Sequence, residues 1–306
     1  MKLVNTLHSS LDQSVNFIFE GDFPGFFEAR YVRRCPEYFV CYLSSQSGCK
    51  QGCRQCHLTA TKQTQVHDAC PGTYLKQAKA VFEHYNKQPG PKAKKVHFSF
   101  MARGEPLENE WLLGESLFSD SRGNMVVDQL ADIAFKNKVY PRFCVSTIMP
   151  KSLKENLANP SEKVDLAWFF KSQPVDIYYS IYSTDEEWKK KWMPQALPVD
   201  EALDILVDYQ DKTRKIIKIH WPMIKDENDS ITNTMAICDK IVEKGLRVDI
   251  NIVRYNPFSP EFGEESSEVI VENNARIIQS CLPDSKVKVI PRVGHDVYGS
   301  CGTFYV

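Results

Sequence analysis

Three cysteines, Cys49, Cys53 and Cys56, stand in the run Gly48-Cys49-Lys50-Gln51-Gly52-Cys53-Arg54-Gln55-Cys56. A C-x3-C-x2-C spacing on one loop can hold three irons of a 4Fe-4S cube, which leaves the fourth iron without a protein ligand. An open iron can chelate the amino and carboxylate groups of S-adenosylmethionine (SAM) and pass it an electron, the entry to radical chemistry on unactivated carbon. Three other readings compete: a zinc knuckle, scattered core cysteines, or half of a disulfide framework. Zinc wants four closed ligands, and His57, His67 or Cys70 can supply a fourth. Against it, the C-x3-C step is unusual for a zinc pair, and the chain has no second C-x2-C.

A second motif follows. Gly104-Glu105-Pro106-Leu107 comes just after an apolar run that ends at Met101. Gly104 can let the backbone approach a ligand, and Glu105 can meet an ammonium group such as the amino group of SAM. A Gly-Glu-Pro tripeptide alone is a turn signal. Its weight comes from its place after the second strand of a chain whose first strand ends in the cysteine tripod.

The elements that must position these residues alternate. Tyr38 to Ser45 reads as a strand that stops at the cysteine loop, and Thr73 to Tyr85 has helical spacing. The alternation continues with strand Val96 to Met101 and helix Met125 to Asn137, then strand Arg142 to Ser146 and helical stretches between Lys151 and Phe170. Strand Val175 to Ile181 and helix Val199 to Lys212 come next, followed by strand Lys215 to Pro222 and helix Ile231 to Lys244. Strand Arg247 to Val253, helix Ser267 to Ser280 and an apolar stretch, Val287 to Val293, complete the series. Six βα units predict an α/β fold with an all-parallel partial or full barrel, its chemistry at the C-terminal mouth of the strands. Residues 1–37 are expected to form a small aromatic cap, 38–293 the barrel and 294–306 a C-terminal loop.

The chain has 306 residues, 42% hydrophobic and 25% charged, with net charge −1, which gives no global pull toward nucleic acid. No apolar run is long enough to span a bilayer, and the N-terminus reads as lacking a secretory signal. Ten cysteines without an export signal predict a reducing, cytoplasmic location and no membrane partner. Local basic clusters remain as candidate phosphate contacts: Arg30, Arg33 and Arg34; Lys189, Lys190 and Lys191; and Lys92, Lys94 and Lys95 in the turn-rich loop Asn86 to Lys95.

Taken together, Ser44-Ser45-Gln46, Gly48 and the tripod, Gly104-Glu105-Pro106-Leu107 with Asn109, Asn256-Pro257-Phe258 and Ser300-Cys301-Gly302 resemble the RlmN and Cfr family of radical SAM methyltransferases, which act on adenosine in RNA. The resemblance runs from about Glu28 to Phe304. It implies a radical SAM partial (β/α)6 barrel with a C-terminal active-site loop, a 4Fe-4S cluster, SAM, an RNA substrate, ribosomal or transfer, and a reductant such as flavodoxin or ferredoxin. It further implies that Cys301 takes a methyl group, that a radical made from a second SAM activates this methyl, and that the methyl carbon adds to carbon 2 or 8 of adenine. Cys41 then resembles the cysteine that resolves the adduct, and Glu28 the carboxylate that serves as base. Ser146, Ser180, Tyr182 and Asn256, with Gly104 and Glu105, fall at positions that meet SAM.

Elementary chemistry points the same way. Adenine carbon 2 is not nucleophilic, so polar methyl transfer cannot reach it, whereas a carbon radical can add to the electron-poor ring. Release then needs a thiolate and a proton acceptor. The sequence also departs from the family pattern. One extra residue separates Cys41 from Ser44-Ser45-Gln46, so a plain strand turns Cys41 to the other face unless a bulge near Tyr42 or Leu43 restores it. Ile148 stands where a hydroxyl ligand is expected, Tyr182 where a histidine is, and the Arg-Asn pair expected after the cluster is replaced around Lys62-Gln63-Thr64. The family's N-terminal helical RNA-binding domain has no counterpart in this sequence.

Overall fold

The computed structural model describes residues 1–113, 125–157, 165–170 and 173–306. Ten strands form one sheet in sequence order: β1 (Lys2–His8), β2 (Val15–Glu20), β3 (Phe26–Cys35), β4 (Tyr38–Leu43), β5 (Lys95–Phe100), β6 (Tyr140–Thr147), β7 (Asp176–Ser180), β8 (Ile217–Pro222), β9 (Val248–Val253) and β10 (Val287–Val289). From β4 to β10 every neighbouring pair is parallel. Parallel pairs need crossovers, and the helices that the periodicity predicts supply them, among them Pro71–Lys87, Val199–Thr213, Ile231–Glu243 and Glu268–Cys281. The first starts two residues before its periodic run because Pro71 is preorganised for the first helical position. Ser230 and Ser267 cap the last two, accepting from Asn233 N and Ile270 N.

The first six parallel strands lie within two residues of their predicted bounds. The last ends at Val289 rather than Val293, because the chain turns away there through Pro291. Between Lys151 and Phe170 short helices cover Ser152–Leu157 and Leu166–Phe169, while positions 158–164 of that predicted stretch lie outside the described residues. The aromatic N-terminal segment, expected as a cap, is built as β1, β2 and β3, antiparallel strands that extend the sheet from β4.

The sheet is curled, and its two faces have different jobs. On β4, Phe39, Cys41 and Leu43 join the main core with Tyr74, Ala78, Val81 and Phe82 of helix Pro71–Lys87, and the Phe39 ring stacks on Tyr85 at 4.2 Å. The alternate residues Tyr38, Val40 and Tyr42 line a cavity of about 380 Å³ on the concave face. Arg142 and Cys144 of β6, Tyr178 of β7 and His220 of β8 continue its wall. Among the described residues, no helix is long and apolar enough to cross a membrane.

Among the described residues the sheet does not close on itself: there β10 pairs only with β9 and β1 only with β2. The C-terminal segment bridges the gap above β10. Asp296 accepts from Ser9 Oγ and Ser10 N at 2.7 Å each, and Gly294 N donates to Asp12 at 2.8 Å. Asn16 Nδ2 donates to the Val297 carbonyl at 3.0 Å.

Candidate active site

β4 delivers the chain to the cysteine loop through Ser44-Ser45-Gln46, and each of the three ties that loop to a neighbour. Glu28 N donates to Ser44 Oγ at 2.7 Å, and Ser45 Oγ donates to the Arg103 carbonyl at 3.1 Å. Gln46 bridges two ways: Oε1 accepts from Glu105 N at 3.0 Å and Nε2 donates to Asp68 at 2.9 Å. Gly104 has φ +89°, and a Cβ there would stand 2.5 Å from Gln46 Cβ, so only glycine lets the loops after β4 and β5 meet this closely.

Cys53 and Cys56 sit in a small apolar nest with Ile148, Tyr182, Trp188, Trp192 and Met193, separate from the main core. Burial pushes the thiols of Cys49, Cys53 and Cys56 up, Cys56 to about 11, and Cys53 also feels the sulfurs of the other two. Thiols raised by burial in this way give up their protons when a metal takes them as ligands. Among the described residues no three donor groups converge closely enough to hold a single metal ion. Three thiols offered by one short loop, two of them in an apolar nest, are a donor set that fits three corners of a 4Fe-4S cube.

Around this loop stand the residues expected to meet SAM. Glu105 is buried, and its carboxylate accepts from Leu107 N at 3.0 Å and from Ile148 N at 3.2 Å. Burial raises it to about 7 despite those bonds. Ile148 thus contributes its backbone, while its side chain packs in the nest beside Cys53. Ser146 and Ser180 follow Cys144 and Tyr178 by two residues on β6 and β7 and so share their face by strand period without lining the cavity itself, and the Tyr182 hydroxyl interacts with Ser180 and Gln55. Asn256 Nδ2 donates to the Cys301 carbonyl at 3.0 Å, and its buried Oδ1 has no partner. An acceptor left without a partner among the described residues, beside Cys301 and His57, fits a polar ligand at this end of the cavity.

Cys301 faces the cavity, yet surrounding protein keeps its thiol above the ordinary range by burial, with Arg30 pulling the other way. Its neighbourhood includes Cys56 and Tyr182. The tail that carries it is fixed by long-range bonds: His57 N to the Gly302 carbonyl at 3.0 Å, Arg30 Nη2 to the Thr303 carbonyl at 2.7 Å, and Arg103 Nη1 to the Tyr305 carbonyl at 3.1 Å.

Glu28 and Cys41 are placed otherwise than expected. Glu28 is fully buried, and its carboxylate is taken by Arg103 at 2.9 Å, Arg30 at 3.0 Å, Asn16 Nδ2 at 2.8 Å and Tyr305 N at 3.0 Å. With both oxygens taken by these four partners, this carboxylate anchors the tail. Cys41 lies on the core face of β4, which pairs with β5 without a break from Tyr38 to Leu43. No bulge at Tyr42 or Leu43 turns it inward. Tyr42 occupies the inward position instead, and Cys144 is the cysteine that lines the cavity with Cys301.

Most of the basic clusters are also committed elsewhere. Lys189 is buried and bonded to the Leu197 carbonyl, Lys190 pairs with Glu187 and Lys191 with Glu227. Arg33 donates to the Pro36 and Pro91 carbonyls, and Lys92 lies over the Tyr85 ring. Arg103, the residue that joins Glu28, the cluster loop and the tail, carried no signal beyond preceding Gly104-Glu105.

No family model matches this chain. It is 26% identical over 306 residues to a probable dual-specificity RNA methyltransferase RlmN of Lachnospira eligens, an alignment that covers 98% of this chain and 76% of the relative. It is 26% identical over 273 residues to the dual-specificity RNA methyltransferase RlmN of Nitratiruptor sp., covering 87% and 66% of the two chains. A crystal structure of a radical SAM methyltransferase from Sphaerobacter thermophilus superposes with a TM-score of 0.76, covering 99% of this chain and 80% of the other at 17% identity, and so shares the fold.

Proposed function

We propose that this chain, which belongs to the RlmN family, is a radical SAM RNA methyltransferase that passes a methyl group through Cys301 to carbon 2 or 8 of an adenosine. The observation that carries this reading is the meeting of two distant segments: the tail bearing Cys301 is bonded to the residue after Cys56, and the Cys301 sulfur, which faces the cavity, lies within electrostatic reach of the Cys56 sulfur. Cys49, Cys53 and Cys56 would hold a 4Fe-4S cluster, which with SAM and an electron from flavodoxin or ferredoxin would supply radical chemistry on unactivated carbon.

The chain's own residues do the rest. Glu105, with the Leu107 and Ile148 amides fixing its carboxylate, receives the SAM ammonium, and Gly104 lets the loop that carries it pack against Gln46. Asn256 and Arg30 hold the tail backbone so that the Cys301 sulfur keeps its place beside Tyr182. As the methyl carbon joins Cys301 to adenine, the ring hydrogen leaves as a proton and the unpaired electron returns to the oxidised flavodoxin or ferredoxin; a second thiolate must then attack the Cys301 sulfur. An S–S bond then forms, the C–S bond breaks, and its electron pair returns to the carbon, which takes a proton. Cys144 shares the cavity wall with Cys301 and takes this role in place of Cys41.

The test is mass spectrometry of anaerobically reconstituted protein supplied with SAM, joined to nucleoside analysis of ribosomal and transfer RNA from cells with and without active protein. A methyl group on Cys301 and a new C-methyladenosine in one RNA fraction are expected. A loaded protein whose Cys301 stays unmodified would overturn the reading.

A further inference from the structure

The cavity has a second end, away from the cysteine loop. Arg34, in the part of β3 that runs on past its pairing with β2 at Tyr31, lines it together with Lys288 of the edge strand β10 and the adjoining Lys286, so all three border the open side of the sheet beneath the bridging tail. All three are exposed, and among the described residues none of them makes an ion pair. The outer helices differ. There Lys154 pairs with Glu201 at 2.9 Å, Lys212 with Asp165 at 2.8 Å, Lys240 with Asp200 at 2.9 Å and Lys244 with Asp204 at 2.5 Å. A chain of net charge −1 has therefore gathered at one opening three cations that form no salt bridge, with Asp249, already paired to Lys218, the acidic group felt by Lys286. Their mutual repulsion is relieved by a polyanion and by little else in a cell.

The wall behind this rim is suited to an unstacked base. Interior charges are already neutralised, Lys218 by Asp249 and Arg142 by Asp176. Between them stand two ring pairs: Tyr38 stacked on His97 at 4.2 Å and 12°, and Tyr178 tilted on His220 at 4.8 Å. Burial holds both histidines near 4, so at neutral pH they are flat uncharged rings. Cations that track phosphates beside aromatic platforms that take bases are the two components of single-strand recognition.

We propose that the open side of the sheet between β3 and β10 is the entry for the RNA strand, its phosphates on Arg34, Lys286 and Lys288 and a neighbouring base against the ring-lined wall. The proposal rests on the RNA methyltransferase reading and adds where the strand enters.

The experiment measures binding of an adenosine-containing single-stranded RNA oligonucleotide by fluorescence anisotropy across a salt series. The protein is the reconstituted full chain, unaltered or with Arg34→Ala, Lys286→Ala and Lys288→Ala together. Each lost single-strand phosphate contact removes about 0.7 from the slope of log K against log salt, so the triple variant should lose about 2 and bind about tenfold or more weakly at low salt. Iron content and RNA-independent release of 5′-deoxyadenosine should stay unchanged, as should RNA binding by a Lys154→Ala/Lys240→Ala/Lys244→Ala control. If the triple variant loses iron, the slope is read on Lys286→Ala and Lys288→Ala singly, each expected to remove about 0.7. An unaltered protein that binds no RNA would overturn the underlying reading and this surface with it. Equal slopes for unaltered and variant protein would overturn the surface alone, and so would adenosine monophosphate competing as tightly as the oligonucleotide.

Discussion

The half of the site around the cysteine loop and the half that holds the C-terminal tail are built in opposite ways. In the first, Cys49, Cys53 and Cys56 come from one short stretch, and the chemistry is local. In the second, Glu28 reaches Arg103 across 75 residues and Tyr305 across 277, and the parts have meaning only once the sheet has formed. The first half is specified by spacing and fails when a ligand is lost. The second is specified by burial and ion pairing, and it fails by loosening the fold.

The largest effect expected from this contrast is on the local half. Cys53→Ala should lose most iron and all SAM cleavage, because an open fourth iron leaves no spare protein ligand to compensate. Iron analysis and 5′-deoxyadenosine assay read it, and a variant that kept four irons and cleaved SAM would break the cluster assignment. Next comes the distant half, where Glu28→Ala leaves two buried guanidinium groups without their carboxylate. Breaking a buried pair in this way costs about 3–5 kcal/mol. Urea unfolding should show that loss, with early proteolysis of the segment carrying Cys301. An unchanged midpoint would mean that the tail is held by something other than Glu28.

At the seam between the halves, Gly104→Ala tests whether the loops after β4 and β5 need their close approach. A side chain at φ +89° and 2.5 Å from Gln46 Cβ should cost about 1–3 kcal/mol. SAM affinity should fall while iron content holds, a split that equilibrium binding and iron analysis measure separately. The smallest effect belongs to Cys41→Ala, which removes one sulfur from the core at about 1 kcal/mol. Turnover should persist with no RNA-shifted band on a denaturing gel, whereas Cys144→Ala should accumulate RNA attached through Cys301. A stalled Cys41→Ala protein would return the resolving role to Cys41.

What the sequence by itself determined is what depends on neighbours along the chain. The C-x3-C-x2-C spacing, the alternation of strand and helix, and the glycine before Glu105 all report local geometry, and the parallel strands appear where hydrophobic period and β-branched runs put them. Even the doubt over Cys41 was legible, because a period of two makes one extra residue reverse a side chain's face. Only the tertiary structure decided which way that doubt falls: β4 runs unbroken beside β5, so Cys41 enters the core and Tyr42 the cavity. It also decided that Glu28 is an anchor rather than a free carboxylate, that Lys189 is buried while Arg34 is not, and that the aromatic N-terminus extends the sheet. These outcomes share one cause. Burial and charge pairing are set by residues that fold in from elsewhere in the chain, and the pattern around a residue does not say which partner will reach it.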